Sequence, residues 1–205
     1  MRNTHQGWGQ FALLLIDVQQ DFWTVEMAKS FPHFPHHVTR LLELCRTHGI
    51  EVIHLRASFK PDMSDWMVKY KLRGSIPCIE GTPGTETLFF ALEEPGERVI
   101  VKQTFDGFQN EELLEHLRQN GKRFLLTAGL VTSTCVLFTT VSAAQKGFLT
   151  VVVEDCCADE PSAHQQTLDR YQFIFDRTTV EAIPEHHSEW LAGLERIGGL
   201  ESKTQ

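Results

Sequence analysis

The chain has no excess of basic residues. Its 19 Lys and Arg stand against 27 Asp and Glu, a formal net charge of -8 at pH 7. That balance argues against a nucleic-acid backbone or an anionic membrane as the main partner. Nor does the chain contain a Cys-x-x-Cys pair. Its five cysteines are an odd number spread over 205 residues, so no disulfide framework is expected and a reducing cytoplasm is the expected setting. The adjacent pair Cys156 and Cys157 suits neither a usual disulfide nor a zinc site, and reads as small residues at a strand end; the sequence assigns no role to Cys78. Met1 to Gln10 lacks the basic and apolar regions of a secretory signal. Repeats and low-complexity tracts are missing as well. One stretch, Phe124 to Gln145, lacks charge altogether. Gly129 and a cluster of hydroxyl residues make it a poor membrane span and a good buried strand running into a buried helix.

What is present is ample apolar material, 41% of residues with 14 Phe. Disorder is thereby excluded, and one domain spanning 1–205 with a core at 11–197 is expected. Six apolar runs recur: Phe11 to Ile16, Glu51 to Leu55, Arg98 to Val101, Arg123 to Ala128, Leu149 to Glu154 and Tyr171 to Phe175. Continuous rather than alternating runs indicate strands covered on both faces. Helical patterns lie between most of them: His36 to Thr47, Glu111 to Gln119, Thr134 to Lys146, Pro161 to Arg170 and Pro184 to Ile197. Several stop at glycine, as helices do. The alternation predicts an α/β fold with a largely parallel sheet. One long connection, Ser58 to Gly96, breaks the rhythm and holds Pro61, Pro77, Pro83 and Pro95. A connection of that length is expected to be a lid or a partner-binding excursion. The tail Glu201 to Gln205 is expected to fray.

In open parallel sheets, ligands bind beyond the carboxyl ends of the strands. Three reactive side chains fall at such ends: Asp17 after the first run, Lys102 after the third, and Cys135 near the start of the helix after the fourth. Together they form a coherent set. A thiol attacks poorly until it loses its proton, and a helix N-terminus and a nearby ammonium both favour the thiolate. A carboxylate can take the thiol proton and later return it to a leaving amine.

At these residues the chain resembles the isochorismatase-like cysteine hydrolases, a superfamily that includes nicotinamidases and N-carbamoylsarcosine amidases. Three blocks carry the resemblance: Leu13 to Phe22 around Asp17, Val99 to Phe108 around Lys102, and Gly129 to Val136 around Cys135. In order and spacing they cover most of the chain, from about Phe11 to Phe175. The resemblance implies a Rossmann-like three-layer α/β/α sandwich with a six-stranded sheet in the order 3-2-1-4-5-6. It implies a catalytic triad of Asp17, Lys102 and Cys135 that passes through a thioester on the cysteine. It also implies a cis peptide between Leu130 and Val131 that aims the N–H groups of Val131 and Cys135 into an oxyanion hole. Assembly as a homodimer or homotetramer is a further implication.

The chain departs from nicotinamidases where they carry an Asp-x-His metal pair. That place reads His54-Leu55-Arg56-Ala57-Ser58-Phe59-Lys60, so no catalytic metal and no cofactor are expected. His33, His36 and His37 read as a solvated helix entry, and His54 as a satisfied core histidine; His54 or His164 could also pair with the cysteine, though no motif supports it. Phe22, Trp23, Phe105 and Phe108 flank the acid and the lysine and are expected to wall a small-molecule pocket. Arg56 and Arg73 could pair with a substrate carboxylate. The expected activity is metal-independent cleavage of an amide, ureido or carbamoyl C–N bond. Two other readings stay open: isochorismatase-type vinyl-ether hydrolysis, in which Asp17 dominates, and a non-catalytic α/β binding module.

Overall fold

A computed structural model describes residues 7–201; the tail expected to fray lies outside these apart from Glu201. Six strands, β1 (Phe11–Ile16), β2 (Glu51–Ala57), β3 (Arg98–Lys102), β4 (Phe124–Leu130), β5 (Leu149–Ala158) and β6 (Asp176–Thr178), form one sheet in the order β3-β2-β1-β4-β5-β6. Every pairing is parallel. The sheet order is the expected one, and it places the switch point between β1 and β4, where ligands of such sheets bind.

Seven helices accompany the strands: α1 (Val25–Ser30), α2 (Phe34–His48), α3 (Val68–Arg73), α4 (Glu111–Gln119), α5 (Leu137–Gln145), α6 (Pro161–Arg170) and α7 (Ile183–Glu201). Alternation along the buried strands splits the core into two. Phe11, Leu13 and Leu15 of β1 pack with Val38, Leu41 and Leu42 of α2 and Trp190 and Leu194 of α7. Ala12, Leu14 and Ile16 face the other way, toward Leu113 and Leu117 of α4, Ala143 of α5 and Leu168 of α6. Helices on both sides explain why the strands read as unbroken apolar runs.

Boundaries differ in informative ways. Strand β5 runs to Ala158 rather than Glu154, so Cys156 and Cys157 lie inside it, both buried. The apolar run Tyr171 to Phe175 is not a strand. Tyr171 closes α6 through its N–H to Thr167 O, and Ile174 and Phe175 turn back onto Tyr171 O. The strand is the polar Asp176–Thr178, which pairs on one side only, with Val151 to Val153. An edge strand needs little apolar sequence, and its pattern is correspondingly faint.

The 58–96 excursion has its own small cluster of Ala57, Phe59, Trp66, Ile76 and Cys78. Its anchor is Gln19, which is buried just beyond β1. Gln19 Nε2 donates to Ala57 O and Thr85 O, both at 2.9 Å, and its Oε1 accepts from Ala57 N at 2.9 Å. Asp21 adds a bond from Cys78 N at 2.7 Å.

Candidate active site

Strand ends deliver three groups to one place. Asp17 leaves β1 in a left-handed conformation, φ 51°, which Asp tolerates better than most residues. Its N–H donates to Leu55 O at 2.8 Å, so the turn is tied to the neighbouring strand. Lys102 is the last residue of β3, in register with Ala57 of β2. Its ammonium donates to Asp17 Oδ2 at 2.6 Å and to Thr104 O at 2.9 Å. Both side chains are almost wholly buried.

Cys135 sits in a π-helical turn, Thr132–Val136, between β4 and α5. Gly129 makes the approach to it possible. Its φ is 124°, and a Cβ there would lie 2.0 Å from Ile16 O, so no side chain fits. The Leu130–Val131 peptide is cis, as the resemblance implied. Asp17, Lys102 and Cys135 all line the same narrow cavity, and the thiol lies close enough for its titration to be coupled to both the carboxyl and the ammonium. Asp17 Oδ1 has no hydrogen-bond partner among the described residues.

Electrostatics follow from the burial. Desolvation raises the Asp17 carboxyl above its ordinary range even against the lowering pull of Lys102. For Lys102 burial works the other way, but Asp17 and Cys135 outweigh it and keep the ammonium above its usual value. Burial, with Asp17 adding to it, pushes the Cys135 thiol well above its ordinary value, and Lys102 only partly offsets this. The sulfur is therefore a protonated thiol at rest rather than the standing thiolate that a helix N-terminus and an ammonium suggest. Beside it lies a carboxylate of raised basicity with a free oxygen.

An isochorismatase domain model matches residues 11–181. The chain belongs to the isochorismatase family. Among relatives, it is 31% identical to a maleamate amidohydrolase of Pseudomonas putida over 78% of this chain and 82% of that one. It is 29% identical to a probable inactive nicotinamidase of Arabidopsis thaliana over 77% and 85%. Among solved structures, an isochorismatase family protein of Desulfovibrio vulgaris superposes with a TM-score of 0.79 at 27% identity, covering 86% of this chain and 97% of that one.

Family membership alone does not describe the pocket, and the structure redraws its walls. Phe22 and Phe105 line the cavity as expected. Trp23 does not: one residue beyond Phe22 the chain has turned, and its ring stacks on Phe34 at 4.8 Å in the α2 core. Phe108 does not either. Asp106 caps a short turn through Phe108 N at 2.8 Å, which directs the ring inward against Phe148. Arg56 points away because strand alternation puts it on the same face as His54, where it pairs with Glu93. Ala57 and Thr104 add to the lining near the strand ends, and the other walls come from the excursion: Phe59, Met67, Tyr70, Ile76 and Pro77. Arg73 lies over the Tyr70 ring at 5.8 Å.

His54 is a satisfied core histidine, its Nε2 2.9 Å from Glu97 Oε2. With Arg56 also committed, the stretch corresponding to the nicotinamidase metal pair does not fit a metal. Neither His54 nor His164 lines the cavity holding Cys135. His164 instead reaches the turn itself, its Nδ1 2.8 Å from Thr132 Oγ1, while Asp159 Oδ2 accepts from Ser133 N at 2.8 Å. These two residues hold the turn from behind. Nothing in the local pattern of α6 signals that contact, which depends on how α6 packs.

Proposed function

We propose that the protein is a cysteine hydrolase that cleaves the C–N bond of a small amide, ureido or carbamoyl compound. The observation that carries this reading is the 2.6 Å pair of Lys102 and Asp17 sharing one cavity with Cys135. The amide-hydrolysing relative named above supports the reaction class.

In this mechanism the Cys135 proton passes to Asp17 Oδ1 as sulfur adds to the substrate carbonyl carbon. Lys102 keeps its charge and stabilises the sulfur as the proton leaves. The carbonyl oxygen becomes an oxyanion received by the N–H groups of Val131 and Cys135. Asp17 returns the proton to the nitrogen, the C–N bond breaks, and ammonia or an amine departs. The thioester that remains is cleaved by water, which gives its proton to Asp17 as hydroxide adds to the carbonyl. Collapse releases the acid and restores the thiol. Asp17 thus acts twice, first as base and then as acid, in each half-reaction.

The test is ammonia release across a panel of amides, ureido acids and carbamoyl compounds, with intact-mass detection of an acyl adduct during turnover. Cys135→Ala and Asp17→Asn are each expected to lose at least about 1,000-fold in kcat/KM and to show no adduct. Turnover that survives Cys135→Ala but not Asp17→Asn would overturn the thioester route and favour the acid-driven vinyl-ether chemistry.

A further inference from the structure

The charge inventory of the cavity bears on what it accepts. Lys102 is fully buried and donates to Asp17 Oδ2 and to Thr104 O, so its charge is already matched by a carboxylate. Asp17 is committed to Lys102 through Oδ2, and its Oδ1 adds an unpartnered acceptor rather than a donor. Apart from Asp17, Lys102, Cys135 and the Tyr70 phenol, the side chains lining the cavity carry no ionisable group. They are predominantly aromatic and aliphatic, with Phe22, Phe59, Phe105, Met67 and Ile76 prominent. Of the two arginines that could have supplied a counter-ion, Arg56 faces Glu93 and Arg73 lies over the Tyr70 ring, and neither lines the cavity.

Consider a substrate bearing a carboxylate. Inside this wall it would lose its hydration, find no free cation and lie near a buried Asp. Burial of an unpaired ion is strongly disfavoured. An alkyl or aryl body of the same shape gains by the same burial. We propose that the site selects uncharged amides with an apolar acyl group and rejects amic acids, the class to which maleamate belongs. The proposal rests on the hydrolytic reading above for its turnover, but the selection itself is a property of the pocket.

Two measurements separate them. The first compares kcat/KM for 4-methylpentanamide, succinamate and 4-aminobutanamide. The first two are close in shape, with two methyls in place of two carboxylate oxygens; the third carries a cation. The neutral amide is expected to lead both charged ones by about 100-fold or more. Equal or faster turnover of succinamate or 4-aminobutanamide would overturn the selection while leaving hydrolysis intact.

The second uses no turnover. Alkylation of Cys135 by iodoacetamide and by iodoacetate is followed by peptide mapping, each rate divided by that of glutathione. The neutral reagent is expected to be favoured by about 30-fold or more after that correction. A corrected ratio near one would overturn the proposal. If the neutral reagent is favoured but no amide releases ammonia, the selection is supported and the hydrolytic reading fails. A Met67→Arg variant supplies the missing cation and is expected to raise succinamate turnover relative to 4-methylpentanamide by about 10-fold or more. An unchanged ratio in the folded variant would count against the charge argument.

Discussion

Asp17 and Lys102 illustrate how a buried ion pair shapes its own energetics. Each is held in an environment that would reject it alone. Removing one partner strands a buried charge, at a cost of about 3–5 kcal/mol. Lys102→Met is therefore expected to destabilise the protein by about that amount in denaturant titration. The double variant Asp17→Asn with Lys102→Met is expected to recover a substantial part of the loss, since neither charge then remains. Strict additivity of the two single variants would contradict the pairing.

The same residues show what a sequence exposes. Asp17, Lys102 and Cys135 were legible because each follows a strand, and strand ends in a parallel sheet share an edge. Trp23, Phe108 and Arg56 were misplaced because nearness in sequence to that edge says nothing about which way a side chain turns. Alternation along β2 would have assigned Arg56 to the wrong face for the pocket, had its register with β3 been known. Met67, Tyr70 and Ile76 lie in a connection without period, where neither helix nor strand spacing marks a wall.

At the scale of elements, the block after β1 has divided labour. Asp17 supplies the acid, Phe22 lines the cavity, and Gln19 and Asp21 fasten the excursion that closes over both. In the proposed mechanism only the acid carries chemistry; its neighbours position the cover. Gln19→Ala removes three buried hydrogen bonds and leaves backbone groups of Ala57 and Thr85 without them, an expected loss of about 2–4 kcal/mol. Hydrogen exchange should report where: amides across residues 67–77 are expected to exchange faster, while those of β4 and β5 keep their protection. Uniform acceleration through the sheet would instead make Gln19 a core residue like any other. The π-helical turn is the counterpart on the other side of the cavity. Its composition predicted a helix from Thr134, but the added residue per turn brings Thr132 and Ser133 within reach of His164 and Asp159, partners that lie on later elements.

At the scale of the whole molecule, the parallel sheet and its two-sided core were readable because burial on both faces leaves long apolar runs, while the strand order came from the family resemblance. The edge strand β6 was not, since a strand paired on one side needs few such residues. A second network fixes the outer side of β2. Glu97 accepts from Arg46 at 2.8 and 3.0 Å, from Glu94 N at 2.9 Å, and meets His54 at 2.9 Å. Burial raises its carboxyl, but these partners together bring it down from 4.5 to about 2. Its folded value lies below its unfolded one, so the network's contribution is complete above about pH 4.5 and is lost as pH falls toward about 2. Burial also holds His54 below 6.5, which adds a loss in the same direction below that pH. Glu97→Gln is expected to flatten the fall in stability between pH 4.5 and pH 2, measured by thermal melts at matched ionic strength. An unchanged slope would remove Glu97 from the acid response.

The cavity around Cys135 has a volume of only about 30 Å³, room for about one or two water molecules. A reactive sulfur kept protonated behind such a narrow opening is poor prey for peroxide, which attacks thiolates and needs access. On the hydrolytic reading, a substrate larger than that space reaches the sulfur only if the wall of Met67, Tyr70 and Ile76 gives way. The opening that admits substrate would then also admit oxidant, so longevity and throughput would be coupled through one wall.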